Sequence, residues 1–318
     1  MNTHSNAVPD FPSDSQMNDS QGIPAASLPA TRLMYWSVRR ELWENRSIYI
    51  APLIAAAVYM LGYSISLVWL PRSLRELPKH SADQLIQLAM PYAHAEMLLG
   101  VTAFIVGVFY SLDALYGERR DRSILFWKSL PVSDLTTVLA KASIPLMVLP
   151  LLVLALTISL QFMMLLVSAV ARLLSGVSAG TPWAPPLFEM QLVTLYSMIV
   201  LVLWHAPLYM WLLLVSGWAR RATFLWAVLP PLGVAAVEWV AFRTSYLGSM
   251  LQDRLFGFAG GAFDLNDKNG VPIDAHFIPL TRLTPGRFLS SPSLWIGLIV
   301  AAACLAAAVR LRRYREPI

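Results

Sequence analysis

The sequence predicts an all-α membrane protein with six transmembrane helices and both termini in the cytoplasm. Hydrophobic residues make up 57% of the 318 positions and charged residues only 14%, with a mean hydropathy of +0.56; soluble domains of this size do not show that balance. The apolar residues gather in runs long enough to cross roughly 30 Å of hydrocarbon. Lys and Arg flank those runs and form no single patch, so the net charge of +5 reads as membrane topology and not as a nucleic-acid surface.

Residues 1–30 are rich in Ser, Pro, Asn and Asp, carry no Lys or Arg, and hold no apolar run of the signal-peptide kind. They predict a disordered cytoplasmic tail. Residues 31–46 then turn helical. Met34, Tyr35, Val38 and Leu42 share one face, with Arg40, Glu41 and Glu44 opposite, a pattern for a helix lying on the membrane surface. Trp36 and Trp43 lie off that stripe beside Arg39, where indoles suit the headgroup level. An ordinary helical lead-in to the first span also fits.

The six-span domain covers residues 47–318. Apolar runs go from about Ile48 to Leu70 and from Met97 to Tyr116. A third, from Ala142 to Leu174, is too long for a straight span, and Pro145 and Pro150 predict a helix that begins in the interface, bends and then crosses. Further runs cover Leu192–Trp218, Phe224–Phe242 and Leu294–Val309. Of the 24 Lys and Arg, fifteen fall on the side that holds both termini and the loop between the second and third runs. Excess positive charge marks the cytoplasmic side.

The opposite side holds a helix-prone connection from Pro71 to Glu96, a short one near Thr181–Pro186, and a large segment at residues 245–292. Within the last, Leu255–Phe263 is a glycine and phenylalanine run too short to span. It suits a re-entrant element if protein satisfies its backbone. The acidic turn Asp264–Gly270 lacks the ligands and closing glutamate of a calcium loop.

No phosphate loop, no H-E-x-x-H and no G-x-S-x-G occurs, so the motifs of ATP, zinc-protease and serine-hydrolase chemistry are missing. A single cysteine, Cys304, excludes an intrachain disulfide and a cysteine zinc cluster, and reads as a small packing residue. No metal site is expected. His205, alone within a span, reads as a hydrogen-bonded packing residue in preference to a ligand. Glu238 lies within the fifth run, where an ionised group costs about 2.5–3.5 kcal/mol; lining a pathway and making a buried hydrogen bond both fit it. Asp113 and Arg120, seven residues apart, would share a face if the second helix continued.

The segment Gly117–Asp134 stands out. Ile124, Leu125, Phe126, Trp127 and Leu130 are apolar side chains in a stretch too charged for the bilayer, so a partner or the membrane surface must cover them. Pro131 interrupts the ladder, and Ser133 with Asp134 can cap a new helix running toward Lys141.

Residues Asp113–Ser133 (DALYGERRDRSILFWKSLPVS) resemble the first cytoplasmic loop of bacterial ABC exporter permeases of the second type, with the type V exporter fold. The resemblance extends to the span plan: a surface helix, six spans, a coupling helix between spans two and three, and a large outer segment before the last. It implies a location in the bacterial inner membrane, a separate cytoplasmic ATPase subunit that carries ATP and Mg, and a second permease chain, identical or different. The coupling loop would be residues 118–141. Glu118, Arg119, Arg120, Asp121, Arg122 and Lys128 would be its polar contacts to the ATPase, with Ile124, Phe126, Trp127, Leu130 and Pro131 forming its apolar tip. A pathway at the dimer interface would run near Phe109, Tyr110, Trp226 and Glu238. Two rivals stay open: a membrane scaffold or sensor docking a cytoplasmic signalling protein through the same loop, and an ion-coupled carrier, for which Glu238 is nearly alone as a midspan ionisable group.

Overall fold

The computed structural model describes residues 30–67, 81–123, 132–175, 184–265 and 278–314. Among these the regular elements are all helices; a single isolated bridge joins Phe263 and Leu283. Six helical segments are long and apolar enough to cross a membrane. They match the six apolar runs of the sequence, with ends displaced by up to about three helical turns.

Helix α1 (Ala30–Glu44) leads to the first span, α2 (Ser47–Ser66). The second spanning helix, α3 (Ser81–Asp113), begins well before the apolar run at Met97. Residues 81–96, expected in an outer connection, are its first turns, because Tyr92, Ala89 and Ala95 are buried against neighbouring helices. A two-residue break at Ala114–Leu115 separates α3 from the short α4 (Tyr116–Arg120).

Helix α5 (Asp134–Ser143) starts on the expected cap: Ser133 Oγ accepts the Thr136 N–H at 3.1 Å. It runs through a π-helical turn, Ile144–Val148, into α6 (Leu149–Ser175), so that one helical path makes the third span. Pro145 has no N–H to donate, and the wider turn takes up the missing bond without ending the helix. The fourth and fifth spans are α7 (Leu187–Trp218) and α8 (Thr223–Phe242). Two short helices follow, α9 (Tyr246–Phe256) and α10 (Phe258–Ala262), then α11 (Pro285–Leu289) and the last span, α12 (Pro292–Tyr314).

Helix α7 is the hub: 61% of its spanning window is buried, with α12 and α3 along it, whereas α8 is only 6% buried and rests on α7 and α9. One apolar core joins Ile48, Tyr110, Ile144, Leu149 and Leu213 toward the end that holds α1 and the C-terminal turns of α12; a second joins Tyr92, Leu99, Val153 and Met164. The glycine and phenylalanine run is not extended. It completes α9 and α10, and Ala262 and Phe263 pack with Phe288, Leu294 and Trp204 as a lid on the other end of the bundle.

Candidate functional site: a buried ion network beside the second and third spans

Where α1, α4, α5 and α12 meet, charged side chains gather inside the protein. Lys141 Nζ stands 2.9 Å from Glu41 Oε1 and 3.1 Å from Glu118 Oε1. Arg40 reaches the same two carboxylates at 2.7 and 3.2 Å, and Glu44 on the rim at 3.6 Å. Arg312 donates through Nη1 to Glu118 and through Nε to Asp134 Oδ1, the latter at 3.1 Å. The Tyr110 hydroxyl adds a donor to Glu41 Oε2 at 2.8 Å. Glu41 is 0% exposed and the Lys141 and Arg312 side chains 3%.

Buried charges survive only when paired and hydrogen-bonded. Here three cations meet Glu41, Glu118 and Asp134, so the cluster is close to neutral. Burial pushes the Glu41 carboxyl up, but Lys141 and Arg40 beside it prevail and hold it below the usual carboxylate range.

A second anchorage lies one step away. Ser216 Oγ accepts the N–H groups of Leu115 and Tyr116 at 2.7 and 3.0 Å, the donors left over where α3 breaks. Arg119 then donates to the carbonyls of Gly217 and Ala219 at 2.7 and 3.1 Å, at the C-terminus of α7 where the helix dipole favours a cation. Helix α4 is thereby fixed to the hub helix.

Several expectations are corrected. Glu41, placed on the outward polar face, points inward, because α1 packs on α5 and presents Ser37 and Glu41 to it, leaving Tyr35 59% exposed. Asp113 and Arg120 do not share one helix: the break at Ala114–Leu115 separates them, and Arg120 pairs with Asp121 at 3.0 Å. Glu118 and Arg119 are buried contacts within the chain and are not presented outward; Arg120, Asp121 and Arg122 are exposed, and Arg122 takes a left-handed φ of 56°. Ile124, Phe126, Trp127, Lys128, Leu130 and Pro131 lie outside the described residues.

The four pathway candidates are not brought together. Tyr110 turns into the core and Phe109, next to it, is 61% exposed. Trp226 packs its ring on Trp218 at 4.9 Å. Glu238 stands more than three turns further along α8, where its carboxylate accepts from Thr244 Oγ1 at 2.9 Å and from the N–H groups of Tyr246 and Leu247 at 2.7 and 2.8 Å, capping α9. His205 packs as expected, its ring nitrogens 3.0 and 3.4 Å from the Leu201 and Leu255 carbonyls.

Sequence reasoning missed Arg40, Lys141 and Arg312 as partners of Glu118, and Glu41 as the second carboxylate that Arg40 and Lys141 bridge to it. Lys141 alone carried a local signal, with Val138 one turn before it and Ile144 and Pro145 one turn after. No group of three metal-ligating side chains occurs among the described residues. Comparison with protein-family models, with curated proteins and with solved structures finds no match for the chain. The geometry alone therefore characterises it: an all-helical chain with six helices fit to cross a membrane, closed at one end by a buried ion network.

Proposed function

We propose that the chain is the transmembrane subunit of an ATP-driven ABC exporter in a bacterial inner membrane, working with a separate cytoplasmic ATPase subunit and a second permease chain. Its cargo is an amphipathic or hydrophobic compound. ATP and Mg belong to the ATPase, and this chain supplies no catalytic group.

One observation carries the reading. Arg312 holds Glu118 and Asp134 together, and these two residues stand on either side of the segment 124–131. Both stalks of the proposed coupling element are thus fastened to one buried side chain. A push on that segment reaches α4 and α5 as one body. From α4 it passes through Arg119 to α7, and from α5 through the π turn to α6. Packed interfaces of this kind have discrete arrangements and transmit displacement without absorbing it.

The test is ATPase stimulation. Phe126→Asp and Trp127→Asp, each inserted normally in the membrane, are expected to abolish stimulation of the partner ATPase by this chain. An ATPase indifferent to both changes overturns the reading and favours a scaffold.

A further inference from the structure

Away from the ion network, a second set of polar side chains meets where α3, α6 and α7 pack together. The Tyr92 carbonyl accepts from Gln161 Nε2 at 3.2 Å, and Gln161 Oε1 accepts from Gln191 Nε2. A backbone carbonyl can only accept, which fixes the direction of the whole relay. Gln161 must turn its amide nitrogen to Tyr92, and Gln191 must turn its own to Gln161. The relay therefore ends on Gln191 Oε1, a buried acceptor with no partner among the described residues.

A carboxyl group meets α7 one turn away. Thr194, one turn along α7 from Gln191, places Oγ1 2.8 Å from Glu96 Oε2, and Glu96 is one turn along α3 from Tyr92. The same hydroxyl is 2.9 Å from the Met190 carbonyl, so its one hydrogen serves either acceptor. Among the described residues no Lys, Arg or His pairs with Glu96, and Thr194 is its only hydrogen-bonding neighbour. Glu96 stands nine residues into the spanning segment that begins at Gln87, about 14 Å by helical rise. A carboxylate reached from α3 and an amide oxygen on α7 thus stand about one helical turn apart along α7; among the described residues the amide oxygen has no donor, and the carboxylate has no cation and only the shared Thr194 hydroxyl as donor.

Hard oxygen ligands with one negative charge suit a monovalent cation; calcium takes six to eight oxygens and more acidic ligands. We propose that Glu96, Gln191 and Thr194 bind a monovalent cation between α3 and α7, either a free alkali ion or an organic ammonium group. The inference does not rest on the exporter reading. It supplies an ionisable site within a spanning helix, toward one end of it, of the kind an ion-coupled carrier would need and that Glu238, engaged in capping α9, does not.

The experiment is thermal unfolding of the full chain in detergent, followed by tryptophan fluorescence, at one ionic strength in N-methylglucamine, sodium, potassium or methylammonium chloride. A saturable rise of a few degrees over N-methylglucamine is expected in at least one of the other salts. It should vanish in Glu96→Gln, and in Gln191→Leu its half-saturating concentration should rise about tenfold. A response to sodium or potassium assigns a free alkali ion, and a response to methylammonium alone assigns an ammonium group. Equal midpoints in all four salts overturn the proposal, as does a response that Glu96→Gln retains. If Glu96→Gln does not fold, Gln191→Leu, which removes a neutral acceptor, decides: an unchanged half-saturating concentration overturns the site.

Discussion

Arg312 and Glu118 lie 194 residues apart in sequence and form a buried, hydrogen-bonded ion pair. The pair joins the end of the last span to the end of the second. Removing Arg312 takes one of three cations from Glu118, which keeps Arg40 and Lys141, and takes from Asp134 its ion pair with Arg312; breaking a buried pair costs up to about 3–5 kcal/mol. Arg312→Ala is expected to destabilise the chain by that order in denaturant unfolding. Adding Glu118→Gln should then cost less than Glu118→Gln does alone, since the Arg312 contact it breaks is already gone. Losses that add in full would mean that the two side chains do not interact.

Ser216 carries the break between α3 and α4. Ser216→Ala leaves the N–H groups of Leu115 and Tyr116 without the acceptor they use now, at a cost of about 1–3 kcal/mol. Amide hydrogen exchange at Leu115 and Tyr116 should speed up ahead of exchange in the middle of α7. Unchanged protection at both amides would remove Ser216 from this role.

Acid should loosen α1. Because Lys141 and Arg40 hold the Glu41 carboxyl below its usual value of 4.5, the unfolded chain binds a proton there more readily than the folded one. The stabilisation is fully present above about pH 4.5, and it is lost as pH falls from there through the folded value. Unfolding midpoints measured from pH 7 to pH 3 should drop more steeply below 4.5 for the native chain than for Glu41→Gln. Parallel curves would contradict it.

Two glycines in spanning helices should respond oppositely to alanine. A Cβ at Gly107 would stand 2.9 Å from the Tyr209 ring, whereas at Gly62 it meets nothing within 4 Å. Gly107→Ala is expected to cost about 1–3 kcal/mol through overpacking. Gly62→Ala should gain up to about 1 kcal/mol from helix propensity. Paired thermal midpoints check both signs.

The spans were legible because an apolar run is a local property: every residue of Phe224–Phe242 reports on its own preference for hydrocarbon. The Ser133 cap and the place of Arg39 beside Trp36 and Trp43, 5.1 and 4.7 Å from the ring centroids, were legible for the same reason, since a helix brings near neighbours together. The start of α3 was not, because His94 and Glu96 lower the mean hydropathy of turns whose buried face is apolar. The ion network could not be read at all as a network. Its pairs span 78, 100 and 194 residues, and nothing in the sequence around Glu41 distinguishes a solvent-facing glutamate from one that α5 covers. Glu96 escaped notice because it sits at the edge of the apolar run, and only the packing of α7 against α3 encloses it.

The most direct measurement of the exporter account is affinity purification of the chain in mild detergent from its own membranes, with mass spectrometry of the proteins that accompany it. The account predicts a stoichiometric soluble subunit bearing a phosphate loop, present with the native chain and lost when Phe126 and Trp127 are changed to aspartate. An intact chain that comes out with no ATPase beside it would contradict the account.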